Sequence, residues 1–103
     1  MFEIKDSNIE GQGIFATKDI KKNSIIGAAY TLIGEVNGKY IAGEITDLGL
    51  MHNHSNTPTA RPEIYNNTIY FEAIKRIKKG TEITCDYNEY SNVANIEKPQ
   101  EGW

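Results

Sequence analysis

Hydrophobic positions along the chain fall in short runs and not at helical spacing. Ile25-Ile26, Thr31 to Val36, Tyr40-Ile41, Thr68 to Ala73 and Glu82 to Thr84 are strand-like and separated by polar turn clusters, so a mainly β fold is expected. Asn37-Gly38 stands between Gly34-Glu35-Val36 and Lys39-Tyr40-Ile41. It is the two-residue loop that a type I′ hairpin favours, because both central residues take positive φ. Asn66-Asn67, between Glu63-Ile64-Tyr65 and Thr68-Ile69-Tyr70-Phe71, predicts a second hairpin on the same grounds. Helical patterning is nearly absent. Ala42 to Leu50 has room for one short helical turn, with Gly43 and Gly49 limiting its length.

One segment is echoed later in the chain. Ala16-Thr17-Lys18-Asp19-Ile20-Lys21-Lys22-Asn23 matches Ala73-Ile74-Lys75-Arg76-Ile77-Lys78-Lys79-Gly80, each followed by a strand-like stretch. Two similar strand-turn-strand units are expected. Their paired lysines keep strand edges soluble, and Asn23 and Gly80 take a left-handed conformation. From Tyr90 the sequence turns polar, with Pro99, Gly102 and Trp103 near the end. Residues 1–90 are thus expected to fold, and residues 91–103 to form a tail whose order depends on docking over the site.

A chain of 103 residues has room for one core, burying about 60% of its unfolded surface. Its 39% apolar and 24% charged residues are those of an ordinary globular domain. No run approaches the ~18 to 20 apolar residues of a membrane span, and Met1-Phe2-Glu3-Ile4-Lys5 lacks the layout of a secretory signal. The expected location is the cytoplasm, or a host cell's interior if the source is viral. Cys85 stands alone, so neither an internal disulfide nor a cysteine-rich zinc cluster is available. A net charge of −3 argues against nucleic acid, which needs a clustered basic surface, and favours a cationic substrate.

Three motifs carry candidate chemistry. Gly11-Gln12-Gly13-Ile14-Phe15-Ala16 lets the backbone bend and approach a ligand closely. It lacks the later glycine, the βαβ setting and the distal acid of a dinucleotide fingerprint. Met51-His52-Asn53-His54-Ser55-Asn56-Thr57-Pro58 is unusually polar for a β core. Its amide and hydroxyl groups can satisfy one another or hold the polar edges of a cofactor. His52 and His54, two apart on a strand, would share a face as metal ligands, yet no third ligand emerges, so no metal site is expected. Gly80-Thr81-Glu82-Ile83-Thr84-Cys85-Asp86-Tyr87-Asn88-Glu89-Tyr90 is a strand after a glycine turn that ends in carboxylates and phenols.

Together and in this order, from Ile9 to Tyr90, these motifs resemble the SET-domain family of lysine methyltransferases. That family has a GxG turn with Phe-Ala, then Asn-His-Ser before a proline, and closes with Gly-Glu-Glu-hydrophobic-Thr-aromatic-Asp-Tyr. Here the matching residues are Gly11-Gln12-Gly13 with Phe15-Ala16, Asn53-His54-Ser55 with Pro58, and Gly80-Thr81-Glu82-Ile83-Thr84 with Asp86-Tyr87. The resemblance implies several small sheets, little helix and a knot-like threading of the last two motifs. It implies an S-adenosylmethionine-dependent N-methyltransferase that releases S-adenosylhomocysteine. Gly11, Gln12, Gly13, Asn53 and His54 would hold the cofactor, and Trp103 would stack on its adenine or close the channel. Tyr87 matches the catalytic tyrosine, Tyr30 a channel aromatic that assists it, and Tyr65 a second channel tyrosine. Core packing is an equal reading for Tyr30 and the favoured one for Tyr65.

Departures from the family pattern refine the expectation. Cys85 stands where Phe or Tyr is usual, and the smaller thiol leaves room for di- or trimethylation. Asn56 and Thr59 replace the usual Cys and Asn. Twenty-two residues separate Tyr30 from Asn53, so the insert that usually helps bind a protein substrate is nearly gone. A homodimer or the tail would then complete the groove, and a viral or bacterial source is implied by analogy. A protein lysine is the expected acceptor, with a small free amine such as a polyamine as the rival. A catalytically silent module that binds a basic peptide is the alternative from another class.

Overall fold

The computed structural model describes residues 1–36 and 39–89. Its elements in chain order are β1 (Phe2–Asp6), β2 (Gln12–Ala16), β3 (Ile25–Val36), β4 (Lys39–Ile45), α1 (Asp47–Met51), β5 (Asn53–His54), β6 (Ala60–Tyr65), β7 (Thr68–Ala73) and β8 (Glu82–Cys85). The mainly β expectation holds, with two four-stranded sheets ordered β1-β2-β8-β5 and β4-β3-β7-β6. No helix among the described residues is long and apolar enough to cross a membrane.

The second sheet follows from alternation. In β7, Ile69, Phe71 and Ala73 are buried while Thr68, Tyr70 and Glu72 are partly exposed, the period-2 signature of a half-covered strand. Tyr65 pairs with Thr68, and Asn66 and Asn67 between them both take positive φ, 48° and 60°, as the predicted hairpin requires. Buried Pro62 is tolerated because β6 is an edge strand, where a missing N–H breaks no ladder. Val36 pairs with Lys39, whereas Asn37-Gly38 themselves lie outside the described residues, as do Tyr90 and the tail with Trp103. The two predicted runs at Ile25-Ile26 and Thr31 to Val36 are one twelve-residue strand. Register shifts along it against both neighbours are what disguised its continuity in the alternation pattern.

The first sheet was less legible. The Gly11 to Ala16 segment continues from a turn into β2, and β1 shows no alternation because only Phe2 is even partly buried. β1 and β2 pair from Phe2↔Ala16 to Asp6↔Gln12, and β2 continues onto β8 through Ile14↔Ile83 and Phe15↔Glu82.

The sequence echo is a structural one, because its two copies pair with each other. Ile20 and Ile77 exchange backbone hydrogen bonds of 2.8 and 2.9 Å. Ala16 donates to Thr81 and accepts from Gly80, while Ala73 donates to Ser24 and accepts from Asn23. Asn23 and Gly80 both adopt the left-handed conformation, φ 70° and 88°. Ala16, Ala73, Ile20 and Ile77 are all buried. The two units thus lock together about a local pseudo-two-fold, and this tie joins the first sheet to the second.

α1 sets the entry into β5. Thr46 caps it by accepting from Gly49 N at 3.2 Å, and its hydroxyl donates to Ala28 and Ala29 carbonyls. Gly49 lies so close to the Ala29 carbonyl that an added Cβ would overlap that backbone oxygen. His52, the C-cap, is buried with Nδ1 donating 2.7 Å to the Gly49 carbonyl and its ring edge-on to Phe71 at 4.7 Å. Burial disfavours the imidazolium and, outweighing the backbone hydrogen bonds, lowers the His52 pKa from 6.5 to about 4.

Two predictions follow from this junction. Gly49→Ala should destabilise by about 1 to 3 kcal/mol through overpacking, although alanine is the better helix former; a rise in Tm would contradict this packing. Below about 6.5 the unfolded chain takes up a proton at His52 that the folded protein refuses, so stability falls as the pH drops from 6.5 towards 4. Denaturant unfolding at pH of about 7 and about 5 should show wild type losing about 2 kcal/mol more than His52→Gln. Equal losses would refute a neutral buried imidazole.

Candidate active site

β5 runs parallel to β8, with Asn53 opposite Thr84 and His54 opposite Cys85. Two residues make a weak strand alone, so side chains reinforce it. Thr59 Oγ1 donates to the Glu82 carbonyl and accepts from Thr84 N, and Ser55 N donates to the Cys85 carbonyl at 3.0 Å. This pairing brings the second motif against the third.

The first motif is fastened to both by Asn53. Its Nδ2 lies 2.8 Å from Glu82 Oε2, 3.1 Å from Ser7 Oγ and 3.2 Å from the carbonyls of Glu10 and Gln12. Four acceptors around one NH2 group fix the amide orientation. Ser7 donates 2.7 Å to Glu82 Oε1 and accepts from Ile9 N, completing the clamp on the turn. Gly11 has φ of 46°, a left-handed value that favours glycine. A Cβ on Gly13 would overlap the Glu82 carboxylate and approach Asn53 Nδ2, so glycine lets the strand approach this cluster without displacing the Glu82 side chain.

Tyr87 packs between the two histidines, with ring centroids 5.3 Å from His52 and 5.0 Å from His54. Its hydroxyl donates to the His52 carbonyl at 3.0 Å. Its backbone N–H donates 3.0 Å to His54 Nδ1, and His54 Nε2 lies 3.0 Å from Asn56 Oδ1. Since Nδ1 accepts, the proton of the neutral ring sits on Nε2 and points to Asn56. His52 Nδ1 and both ring nitrogens of His54 are engaged in these hydrogen bonds. Among the described residues no group of three His, Cys, Asp or Glu side chains is placed to hold an ion.

These residues surround a cleft of about 520 Å³. Glu10, Gly11 and Gln12 form one wall, Leu50 to His54 another, with Ile9 and Tyr87 completing the lining. The cleft unites Gly11, Gln12, Asn53, His54 and Tyr87, while Gly13 is buried in the turn behind it. Tyr30 and Cys85 lie in the core and not in the lining. Tyr65, at 69% exposure, ends β6 outside the cleft. Ser7 was not singled out by sequence, and Glu82 and Met51 stood there only as members of their motifs. Ser7 and Glu82 meet only through strand pairing.

Burial, with lesser contributions from Cys85 and Glu10, raises the Tyr87 pKa, so its phenol stays protonated near neutrality. Burial likewise pushes up Tyr30 and the Cys85 thiol. Each therefore acts here as a neutral group, none as a thiolate nucleophile or phenolate base.

A SET domain family model matches residues 36–88, just over half of the chain. A Plasmodium falciparum protein assigned as a histone methyltransferase superposes with a TM-score of 0.71 at 28% identity, over 84% of this chain and 96% of that one. The methyltransferase domain of human PR domain-containing protein 2 shares the fold with a TM-score of 0.61 at 17% identity, covering 82% of this chain and 74% of its own. The ctPRC2 assembly containing Ezh2 shares it too, at 0.69 and 23%, over 92% of this chain but 16% of that one. No curated protein matches the sequence significantly. Family model and fold agree with the three motifs around one cleft: the chain belongs to the SET domain family, whose members are S-adenosylmethionine-dependent lysine methyltransferases.

Proposed function

We propose that this protein methylates the side-chain amine of a protein lysine, using S-adenosylmethionine held in the cleft. The observation that carries the reading is the convergence of Gly11-Gln12, Asn53-His54 and Tyr87 on one cavity through the β5–β8 pairing. The donor set fits the cofactor. The glycine turn has no side chains to obstruct an approach, and Glu10 suits a cationic ligand. Because the Asn53 NH2 group faces the turn, its carbonyl oxygen is the end left to receive an ammonium. Bound there, S-adenosylmethionine would supply an electrophilic methyl group on a sulfonium.

The chain's own task is to present a neutral amine and keep water out. A lysine of pKa about 10.4 is uncharged in roughly one molecule per thousand near neutral pH, so its ammonium must be destabilised. A dry apolar wall does so, and a nearby positive charge acts in the same direction. Leu50, Met51 and the Tyr87 ring supply that wall. The Tyr87 hydroxyl, its hydrogen directed at the His52 carbonyl, stands at the cleft wall to orient the amine. No protein base is required. Trp103 and the tail are proposed to close the site, and Tyr30 to support it from the core. The short link from Tyr30 to Asn53 carries only β4 and α1 beyond the end of β3. That brevity favours a small free amine as the second reading, since little groove-forming sequence is present.

Calorimetric titration with S-adenosylhomocysteine should show micromolar binding in wild type that Asn53→Ala abolishes while remaining folded. Heat-free mixing with folded wild type would favour the silent-module reading. Tyr87→Phe should keep cofactor binding but lose about 100-fold in turnover of a lysine peptide, the cost of a lost alignment; unchanged turnover would remove Tyr87 from the reaction. Spermidine in place of the peptide separates the two acceptors. Cys85→Phe should restrict a multiply methylated product to monomethyl, and an unaltered product spectrum would leave Cys85 without that role.

A further inference from the structure

The overall charge of −3 conceals a strong separation. Lys18, Lys21 and Lys22 stand on the first copy of the echoed segment, and Lys75, Arg76, Lys78 and Lys79 on the second. These are seven of the chain's eleven basic residues, and all seven are exposed. The Ile20–Ile77 exchange and the four flanking backbone bonds bring the two copies side by side, so residues 57 apart in sequence share one end of the molecule. Only one carboxylate, Asp19, belongs to this end. It is tied down by Lys79 N–H at 2.9 Å and Arg76 at 2.8 Å, which hold it below the usual carboxylate range. The remainder of the chain has thirteen acidic and four basic residues.

We infer that this basic end is a docking surface for the phosphate backbone of duplex DNA. Its charge is predominantly positive, seven basic residues against the single carboxylate of Asp19, which suits a duplex that carries a phosphate charge about every 1.7 Å. Its apolar side chains are withdrawn: Ile20 and Ile77 are buried and Ile74 is partly so. A protein partner would want an exposed aromatic or apolar anchor there, and a single strand an aromatic stacking platform; residues 17–23 and 74–81 hold no aromatic side chain, and their isoleucines are buried or partly buried. Flexible lysines outnumber arginine, which suits contact with phosphates over reading of bases. The pseudo-two-fold of the paired turns also fits two antiparallel strands. β2 runs from Gln12 at the cleft to Ala16 at the basic end, so the two lie roughly 13 Å apart along a rigid strand. A molecule docked by this end leaves its cleft open to a cationic acceptor held on or near the same polyanion.

The surface is separable from the methyltransferase reading, because binding needs no cofactor. Fluorescence anisotropy of the full chain with a labelled mixed-sequence duplex of about 20 base pairs should show binding that weakens with salt. If Lys21, Lys22, Lys78 and Lys79 each engage one phosphate, log affinity should fall against log salt with a slope of about −4. The quadruple Lys→Glu variant of these positions should bind at least about tenfold more weakly, and Lys5→Glu with Arg61→Glu, which lie elsewhere, should not. Should the Glu variant unfold by thermal melting, the corresponding Lys→Gln variant serves, with a smaller loss and a shallower slope. Absence of duplex binding at low salt, or binding that neither variant weakens, would overturn the inference. So would tighter binding of a polyglutamate peptide, which would point to an acidic protein, or of a single strand.

Discussion

The architecture of the site depends on one short parallel pairing, Asn53-His54 against Thr84-Cys85. Two residues of strand cannot persist by their own ladder bonds. What stabilises them is that several polar side chains nearby are used across the junction: Thr59 reaches β8, His54 takes the Tyr87 N–H, and Tyr87 returns to the His52 carbonyl. In a partly buried setting each such group costs more to leave unpaired than it contributes when paired. Local slippage is therefore penalised at several atoms together. The cleft inherits its geometry from this cooperativity.

Asn53 extends the same logic to the amino-terminal turn. Its NH2 group serves Glu82 and the turn carbonyls at once, so a side chain that faces the cleft also holds its wall. His54 is similarly double, with its ring supporting the Tyr87 backbone while Asn56, which stands in place of the family's usual cysteine, receives its other N–H. Support and binding are thus carried by the same few polar residues, as expected where a small fold has little sequence to spare.

The opposed charges of the two ends belong to a different level of organisation. Acidic Glu10 lines the cleft and Glu82 buttresses it, whereas the paired turns gather the lysines. Such a dipole orients the molecule during an encounter before any short-range contact forms. The net charge, which argued against nucleic acid, averages over this separation and so says little about either end.

Much was legible before any folding was considered. Asn53, His54 and Tyr87 were joined only by the resemblance to the SET-domain motifs, whereas the strand-rich pattern, the Asn66-Asn67 hairpin and the left-handed Asn23 and Gly80 are local properties. They arise from side-chain alternation, from which residues tolerate positive φ, and from polar clustering within a few positions. The continuity of β3 and the existence of β1 were not legible, because bulges and exposure erase alternation. Tyr65 likewise carried no sign of its exposure, and core packing was one of two readings for Tyr30, which is buried. Ser7 meets Glu82 across 75 positions, and the two lysine turns meet through Ile20 and Ile77. Such contacts are decided only when whole sheets close on one core, since a residue's distant partners depend on where every intervening strand packs.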